Sequence, residues 1–233
     1  MKYETMDMEL ISYHGAYIRT MTLLIVEGII KNHLLQISQG FASPQIDLTS
    51  NALENIFREM MHKPLEDNNY RKPEQPWSFS HRLHMRHWQF LLVLMQLLDP
   101  QIYTPAYRQE RVSKTGQEDI VQFIMKALWL ILQRDYVPSV RQYIEMFTIK
   151  FMLRFPDIAC EDPSFSLVLL DPKSHKTQVS SSLLIVAGYI LVSDLDTPNA
   201  VTFKRKIYEQ MLGFVTSNSA YSRCVAQYFI MRG

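Results

Sequence analysis

The stretch His81–Trp88, HRLHMRHW, holds three of the chain's seven histidines together with two arginines and a tryptophan. Three imidazoles could bind a metal ion, and arginines beside an aromatic ring could bind nucleic acid. The histidines are spaced i, i+3 and i+6, which on a helix places His81 about 60° from His84 but about 120° from His87. Three ligands at these angles do not converge, and no carboxylate or cysteine lies nearby in the sequence. We therefore expect no metal site.

Sequence motifs for other chemistry are missing. The chain contains no HExxH, GxSxG, GxGxxG or GxxxxGK[ST] pattern, and its two cysteines, Cys160 and Cys224, form no CxxC pair. We therefore assign no catalytic residue and no cofactor-binding residue to this sequence. Whether the protein takes part in an enzymatic reaction stays open at this point.

Composition predicts an intracellular protein, cytoplasmic or nuclear, without a membrane partner. The first ten residues, MKYETMDMEL, carry acidic side chains where an export signal would be apolar. The longest apolar stretches, Leu183–Val192 and Ile124–Leu132, are shorter than the roughly 20 residues of a membrane span. Two cysteines without a pairing pattern favour a reduced compartment.

Charge is distributed unevenly, although the net charge is only +1. Residues 1–60 hold four Lys/Arg and seven Asp/Glu, which gives −3, and residues 61–115 hold eight and five, which gives +3. A dedicated nucleic-acid binder usually has a stronger excess of basic residues. A basic face is therefore expected only in the middle third of the chain.

The elements that position these residues are expected to be helices, because apolar residues recur at three- and four-residue steps and no strand pattern occurs. Two irregular segments interrupt them, the Pro-rich Lys63–Ser80 and residues 100–116. The predicted helices are 13–38, one beginning at a capping box at Asn51, Ser80–Leu98, 120–133, Ser139–Phe155, 164–170, 175–193, 198–216 and 219–231.

Several helix starts resemble one another. Val137–Tyr143 is similar to Ser219–Val225, and their arginines, Arg141 and Arg223, are 223 − 141 = 82 residues apart, or two units of 41. HEAT-type helix pairs repeat every 40–47 residues or so. Chance similarity between amphipathic helix starts is the alternative. We predict an all-α fold, a HEAT-like α-solenoid of antiparallel helix pairs, in which 1–62 supply the first helices, 63–80 a long loop and 80–233 the repeats.

An RNA-binding surface is the remaining specific hypothesis. Arg82 and Arg86 fall on one polar stripe of the Ser80–Leu98 helix, and the preceding loop adds Arg71 and Lys72. The alternative is an ordinary solvated helix face. Lys204–Lys206 is a second basic patch that is more typical of plain surface. On the other sides of the same helix, the residues expected to be buried are Leu83, His87, Phe90, Leu91, Leu94 and Leu98.

Three stretches, taken together, resemble one family. Ser80–Asp99, Ser139–Ile158 and Asn218–Arg232 are similar in order and spacing to the helical-repeat region of the large eukaryotic tRNA guanosine 2'-O-methyltransferases, which include the TAR-RNA-binding homologue. That family has a C-terminal SPOUT (SpoU-like) domain that uses S-adenosylmethionine to methylate a ribose in tRNA. The motifs of that domain are missing here, so the resemblance implies a fragment or isoform that holds the scaffold without the enzyme.

The resemblance implies that the chain assists tRNA binding and positioning, and that its partners are tRNA and a SPOUT domain. Arg71, Lys72, Arg82 and Arg86 are then the candidate RNA-binding residues. The rival hypothesis, favoured by the near-neutral net charge, is a HEAT-type protein-interaction scaffold without an RNA role.

Overall fold

The computed structural model describes residues 44–66, 79–134, 136–161, 181, 183, 185, 189 and 197–232. This part of the chain is helical and contains no strand. The eight α-helices of this part are α1 Pro44–Glu66, α2 Phe79–Leu94, α3 Pro105–Thr115, α4 Ile120–Leu132, α5 Pro138–Arg154, α6 Pro156–Glu161, α7 Pro198–Leu212 and α8 Ala220–Arg232. A single 3-10 turn, Met95–Leu97, extends α2.

The chain divides into two compact units, Met1–Asn55 and Ile56–Gly233, and the boundary falls within α1. Every contact considered below lies within the second unit. The predicted helices at 13–38 and 164–170 lie outside the described residues. Of the predicted helix 175–193, Ser181, Leu183, Ile185 and Tyr189 are described, and these four residues are helical and buried.

The core of the second unit lies between α2, α4 and α5. Trp88 of α2 is fully buried, and its ring meets Phe147 of α5 edge-on at 5.7 Å between centroids. Phe147 in turn stacks on Phe151, one turn further along α5, at 6.0 Å. Each fully buried side chain of this size stabilises the fold by about 1.5–3 kcal/mol. These contacts fix the position of α2 against α5.

Proline and short polar side chains set several helix starts. Pro105, Pro138 and Pro198 occupy the first turns of α3, α5 and α7, where the missing N–H costs nothing. The Asp119 side chain caps α4 by accepting a hydrogen bond from the Val121 backbone N–H at 2.8 Å, as its place before the apolar run predicts.

Three sequence predictions need correction. Asn51 lies inside α1 rather than at its start, because the helix begins seven residues earlier, at Pro44. The same helix continues through Pro64 to Glu66, so the irregular segment does not begin at Lys63. Residues 100–116 were predicted to be irregular but contain α3. The residue that follows this helix, Gly116, has a left-handed backbone conformation with φ of 67°.

The pattern of apolar residues does not predict α3, because the side chains that this helix buries are charged. Its buried residues are Arg108 and Arg111, both arginines. Arg108 is held by two carboxylates, Asp119 at 2.8 Å from one amino group and Asp157 at the other. A helix that docks through charged groups leaves no apolar stripe in the sequence.

Candidate nucleic-acid interface

The helix α2 carries the described part of the predicted interface. Arg86 is exposed on this helix and Arg82 is half-buried. Arg71 and Lys72, the other two candidate residues, lie outside the described part of the chain. The structure therefore tests the position of two of the four arginines and lysines that the sequence nominates.

The outer side of α2 is less polar than its sequence pattern predicts. Leu83, expected to be buried, has a side chain that is 51% exposed, and Val93 is 42% exposed. Phe90, also expected to be buried, is half-buried. Arg86 thus lies among apolar side chains on the outer surface, where its aliphatic stem can contact them while the guanidinium meets solvent.

A hydrogen-bonded link joins this outer side to α5. The Gln89 amide donates to the Tyr143 hydroxyl at 2.8 Å, while its carbonyl oxygen lies 3.4 Å from an amino group of Arg86. Tyr143 is half-buried. Sequence reasoning missed Tyr143, since residues 54 positions apart give no local signal.

The three histidines of the opening motif all lie on the buried side of α2. His81, His84 and His87 are 2%, 4% and 8% exposed. His81 Nε2 lies 2.6 Å from the Ser139 hydroxyl in the first turn of α5. Among the residues that the structure describes, no group of three or more His, Cys, Asp or Glu side chains could hold a metal ion.

His87 shows how a titratable side chain is accommodated in this core. Burial, with smaller contributions from the charges of Lys63 and His84, lowers the pKa of the His87 imidazole to about 3. A hydrogen bond to the Met60 backbone acts in the opposite direction. The imidazole is therefore neutral at pH 7, because the buried site penalises the charged form.

The Met60 carbonyl is available to His87 for a covalent reason. In an α-helix this carbonyl would accept from the backbone nitrogen four residues later, which here belongs to Pro64 and has no hydrogen. The imidazole N–H of His87 takes the place of that missing donor. A proline near the end of α1 thus leaves a backbone carbonyl that a histidine of α2 uses as its acceptor.

Several arginines outside α2 donate to backbone carbonyls at the ends of other helices. Arg134 donates to Pro64 and Leu65 at the end of α1, with 2.7 Å to Leu65. Arg154 donates to Leu98 and Gln96 after α2, at 2.6 and 3.1 Å. Helix C-termini leave carbonyls without a partner, and a cation there is stabilised by the helix dipole. These guanidinium groups hold the helices together.

Arg141 is the most deeply engaged of these arginines. It is 6% exposed and donates to the backbone carbonyls of Arg134 and Leu132 at 2.8 and 3.0 Å. Its Nε donates to the Ser181 hydroxyl, which itself donates to Glu145. The i, i+4 pair of Arg141 with Glu145 agrees with its helical spacing, at 3.7 Å. The carbonyl and serine partners were not expected.

The second basic patch, Lys204–Lys206, lies on α7. Arg205 and Lys206 are exposed and Lys204 is half-buried. Arg205 is 3.9 Å from Glu209 one turn later, and both side chains are mostly in solvent. A pair with this exposure contributes little to stability. The interpretation of Lys204–Lys206 as plain surface stays a prediction.

No protein-family model, no curated protein and no solved structure matches this chain. Among the described residues, no helix is long and apolar enough to cross a membrane. The case for a function consequently comes from the residues and their geometry.

Proposed function

We propose that the chain is a helical scaffold that helps to bind and position tRNA, in the manner implied by its resemblance to the helical-repeat region of the tRNA guanosine 2'-O-methyltransferases. The observation that carries the proposal is the division between its arginines. Arg86 is exposed on α2, whereas Arg108, Arg134 and Arg141 donate to carboxylates or carbonyls inside the protein.

The pattern of helix contacts supports a HEAT-like solenoid for the second unit. In such an array each helix packs against its neighbour in sequence and against the equivalent helix of the next repeat. Here α4 packs on α5, α5 on α6 and α7 on α8, while α2 packs on α5, α4 on α6 and α6 on α7.

Links between helix starts also agree with a repeat. His81 in the first turn of α2 meets Ser139 in the first turn of α5, and Arg141 of α5 meets Ser181. Ser181 follows Arg141 by 40 residues, close to the 41-residue unit that the sequence suggests. Each link joins a polar side chain near the start of one helix to a serine further along the chain.

In this proposal Arg82 and Arg86 contact tRNA phosphates. Each phosphate neutralised by a cation releases condensed counterions, so the affinity falls with salt, with a slope of about −0.7 to −0.9 per contact. Two arginines would account for a slope of roughly −1.4 to −1.8. Arg71 and Lys72 would extend the same surface.

A filter-binding titration of tRNA over a range of salt concentrations tests this assignment. Arg82→Ala combined with Arg86→Ala should weaken binding and make the salt slope shallower by roughly 1.4–1.8. The matched control, Arg205→Ala with Lys206→Ala on α7, removes two exposed cations elsewhere and should leave binding almost unchanged. Equal losses from the two double variants, or no loss from the first, would refute the site.

Methyl transfer belongs, in this proposal, to a SPOUT domain that binds S-adenosylmethionine and acts as the partner of the scaffold. We assign no residue of this chain to that cofactor. The purified chain should accordingly transfer no methyl group from labelled S-adenosylmethionine to tRNA, and transfer by this chain would contradict the scaffold role.

A second candidate function is a protein-interaction scaffold without an RNA role. The exposed apolar side chains of α8 favour it, since Tyr228 is 51% exposed and Met231 is 77% exposed. The two functions make opposite predictions for the α2 arginine variants, because a pure protein scaffold would bind tRNA weakly and without dependence on Arg86.

A further inference from the structure

The helix α8 has apolar side chains on two sides. One side, Ser222, Ala226 and Phe229, is buried, and the Phe229 ring lies 4.6 Å from that of Tyr208 on α7. The other side carries Tyr221, Cys224, Tyr228 and Met231, a group that we call the α8 stripe. Tyr221, Tyr228 and Met231 are 46%, 51% and 77% exposed, and Cys224 is an exposed free thiol.

The spacing of the α8 stripe is that of a coiled-coil seam. Its residues follow one another at steps of three, four and three, which are the a and d positions of a heptad. On a helical wheel the four side chains span about 80°, the width that one partner helix covers. Isolated exposed apolar residues are normal on a protein surface, but a continuous seam marks an interaction site.

Charge on α8 selects among the possible occupants. The helix contains two arginines, Arg223 and Arg232, and no acidic residue. Arg223 donates to the Ser217 carbonyl at 2.6 Å, whereas Arg232 is exposed at the end of the stripe, with its guanidinium 5.8 Å from the Tyr228 ring centroid. A second copy of α8 would bring no carboxylate to Arg232. Nucleic-acid bases would find the Tyr228 face already occupied by that guanidinium.

We infer that the α8 stripe docks an acidic amphipathic helix of a partner protein, with apolar residues packed against Tyr221, Tyr228 and Met231 and a carboxylate facing Arg232. The mode is a helix laid along an apolar surface, recognised through anchors at i, i+3 and i+7. The inference gives the protein-scaffold function a partner class, and it does not depend on tRNA binding by α2.

Two synthetic peptides of three heptads test the inference on the full chain. Both carry leucine at the a and d positions, and one carries glutamate and the other lysine at the e and g positions. Like charges at these positions discourage each peptide from pairing with itself. Fluorescence anisotropy of the labelled peptides at low ionic strength should show about two- to fivefold tighter binding of the glutamate peptide, as expected for an exposed charge pair at the edge of an apolar contact.

Two variants separate the apolar contact from the charge. Tyr228→Ala should weaken the glutamate peptide at least about tenfold, as for a central aromatic anchor, while Val201→Ala, an exposed apolar residue of α7, serves as the matched control and should not. Arg232→Glu should reverse the preference in favour of the lysine peptide. All three residues are exposed, so circular dichroism should show unchanged folding.

Several outcomes would overturn the inference. These are failure of both peptides to bind, equal affinity for the two, or a preference that Arg232→Glu leaves unchanged. A dimer seen by light scattering and lost in Tyr228→Ala would assign the stripe to a second copy instead. Loss of tRNA affinity in Tyr228→Ala would assign it to RNA. The α2 arginine variants report on the tRNA proposal independently, so the failure of one does not imply the failure of the other.

Discussion

Two regions of the second unit use arginine in opposite ways. At the junction of α4 and α5, Arg141 is buried and donates to two backbone carbonyls and to Ser181. On the outer side of α2, Arg86 is exposed, and its guanidinium lies 3.4 Å from the Gln89 side-chain carbonyl oxygen. The first arginine joins helices inside the protein, whereas the second faces solvent.

This contrast shows that an exposed arginine can serve in binding, whereas a buried one cannot. A buried guanidinium needs acceptors for its donors, and the ends of neighbouring helices supply them in this fold. A guanidinium that already has these acceptors cannot exchange them for phosphate without disrupting the fold. Basic residues counted along a sequence therefore overstate the surface that nucleic acid can contact.

The largest expected effect is at Arg141. Arg141→Met should lower the free energy of unfolding by about 3–5 kcal/mol, because it leaves two backbone carbonyls without this donor and removes the positive charge paired with Glu145. Arg86→Met, the exposed counterpart, should change it by less than about 0.5 kcal/mol. Urea denaturation of both variants measures the contrast, and losses of equal size would remove the distinction between the two regions.

His87 lies between the two arginines in this comparison. Its basic side chain is buried, and it remains neutral. Its pKa is about 3 in the folded protein and 6.5 when unfolded, so the unfolded state binds the extra proton as pH falls below 6.5. The contribution of His87 to the free energy of unfolding is fully present above pH 6.5. It is lost as the pH falls towards 3, with a slope of about 1.4 kcal/mol per pH unit.

Replacement of His87 by glutamine removes this titration and keeps an amide donor for Met60. The free energy of unfolding, measured by urea denaturation between pH 7 and pH 4, should fall less steeply in His87→Gln than in the natural chain. Parallel pH profiles for the natural chain and His87→Gln would contradict the neutral, buried imidazole.

The smallest effect is expected at the link between α2 and α5. Tyr143→Phe removes the acceptor of the Gln89 amide and should cost about 1 kcal/mol, the usual net contribution of one hydrogen bond. The same variant should alter tRNA affinity less than Arg86→Ala does, because Tyr143 reaches Arg86 only through Gln89. A larger loss of tRNA affinity in Tyr143→Phe would move the centre of the proposed interface from α2 to α5.

Helices whose buried side is apolar were predictable from sequence. The apolar steps of α2, α4 and α5 gave their positions to within a few residues, since the period of 3.6 is visible wherever leucine, isoleucine and phenylalanine form the core. The all-α fold followed from the same signal. The HEAT-like arrangement of the helices stays a prediction.

Features that depend on distant partners were not predictable. The helix α3 is buried through Arg108, whose carboxylate partners lie 11 and 49 residues away. The continuation of α1 past Pro64 is accompanied by hydrogen bonds from Arg134 at its end and from His87 at Met60. In the candidate site, the exposure of Leu83 contradicts its expected burial because apolar character alone does not say which side of a helix has a neighbour.

The pairing of Pro64 with His87 has a consequence for the evolution of the sequence. Either residue alone would destabilise the fold, since proline leaves a carbonyl without its donor and histidine brings a polar ring into the core. The hydrogen bond between that carbonyl and the ring offsets part of both costs, so the fitness effect of each substitution depends on the residue at the other position. We expect descendants of this chain to keep both residues or to replace both, and an alignment in which the two positions vary independently would argue against the pairing.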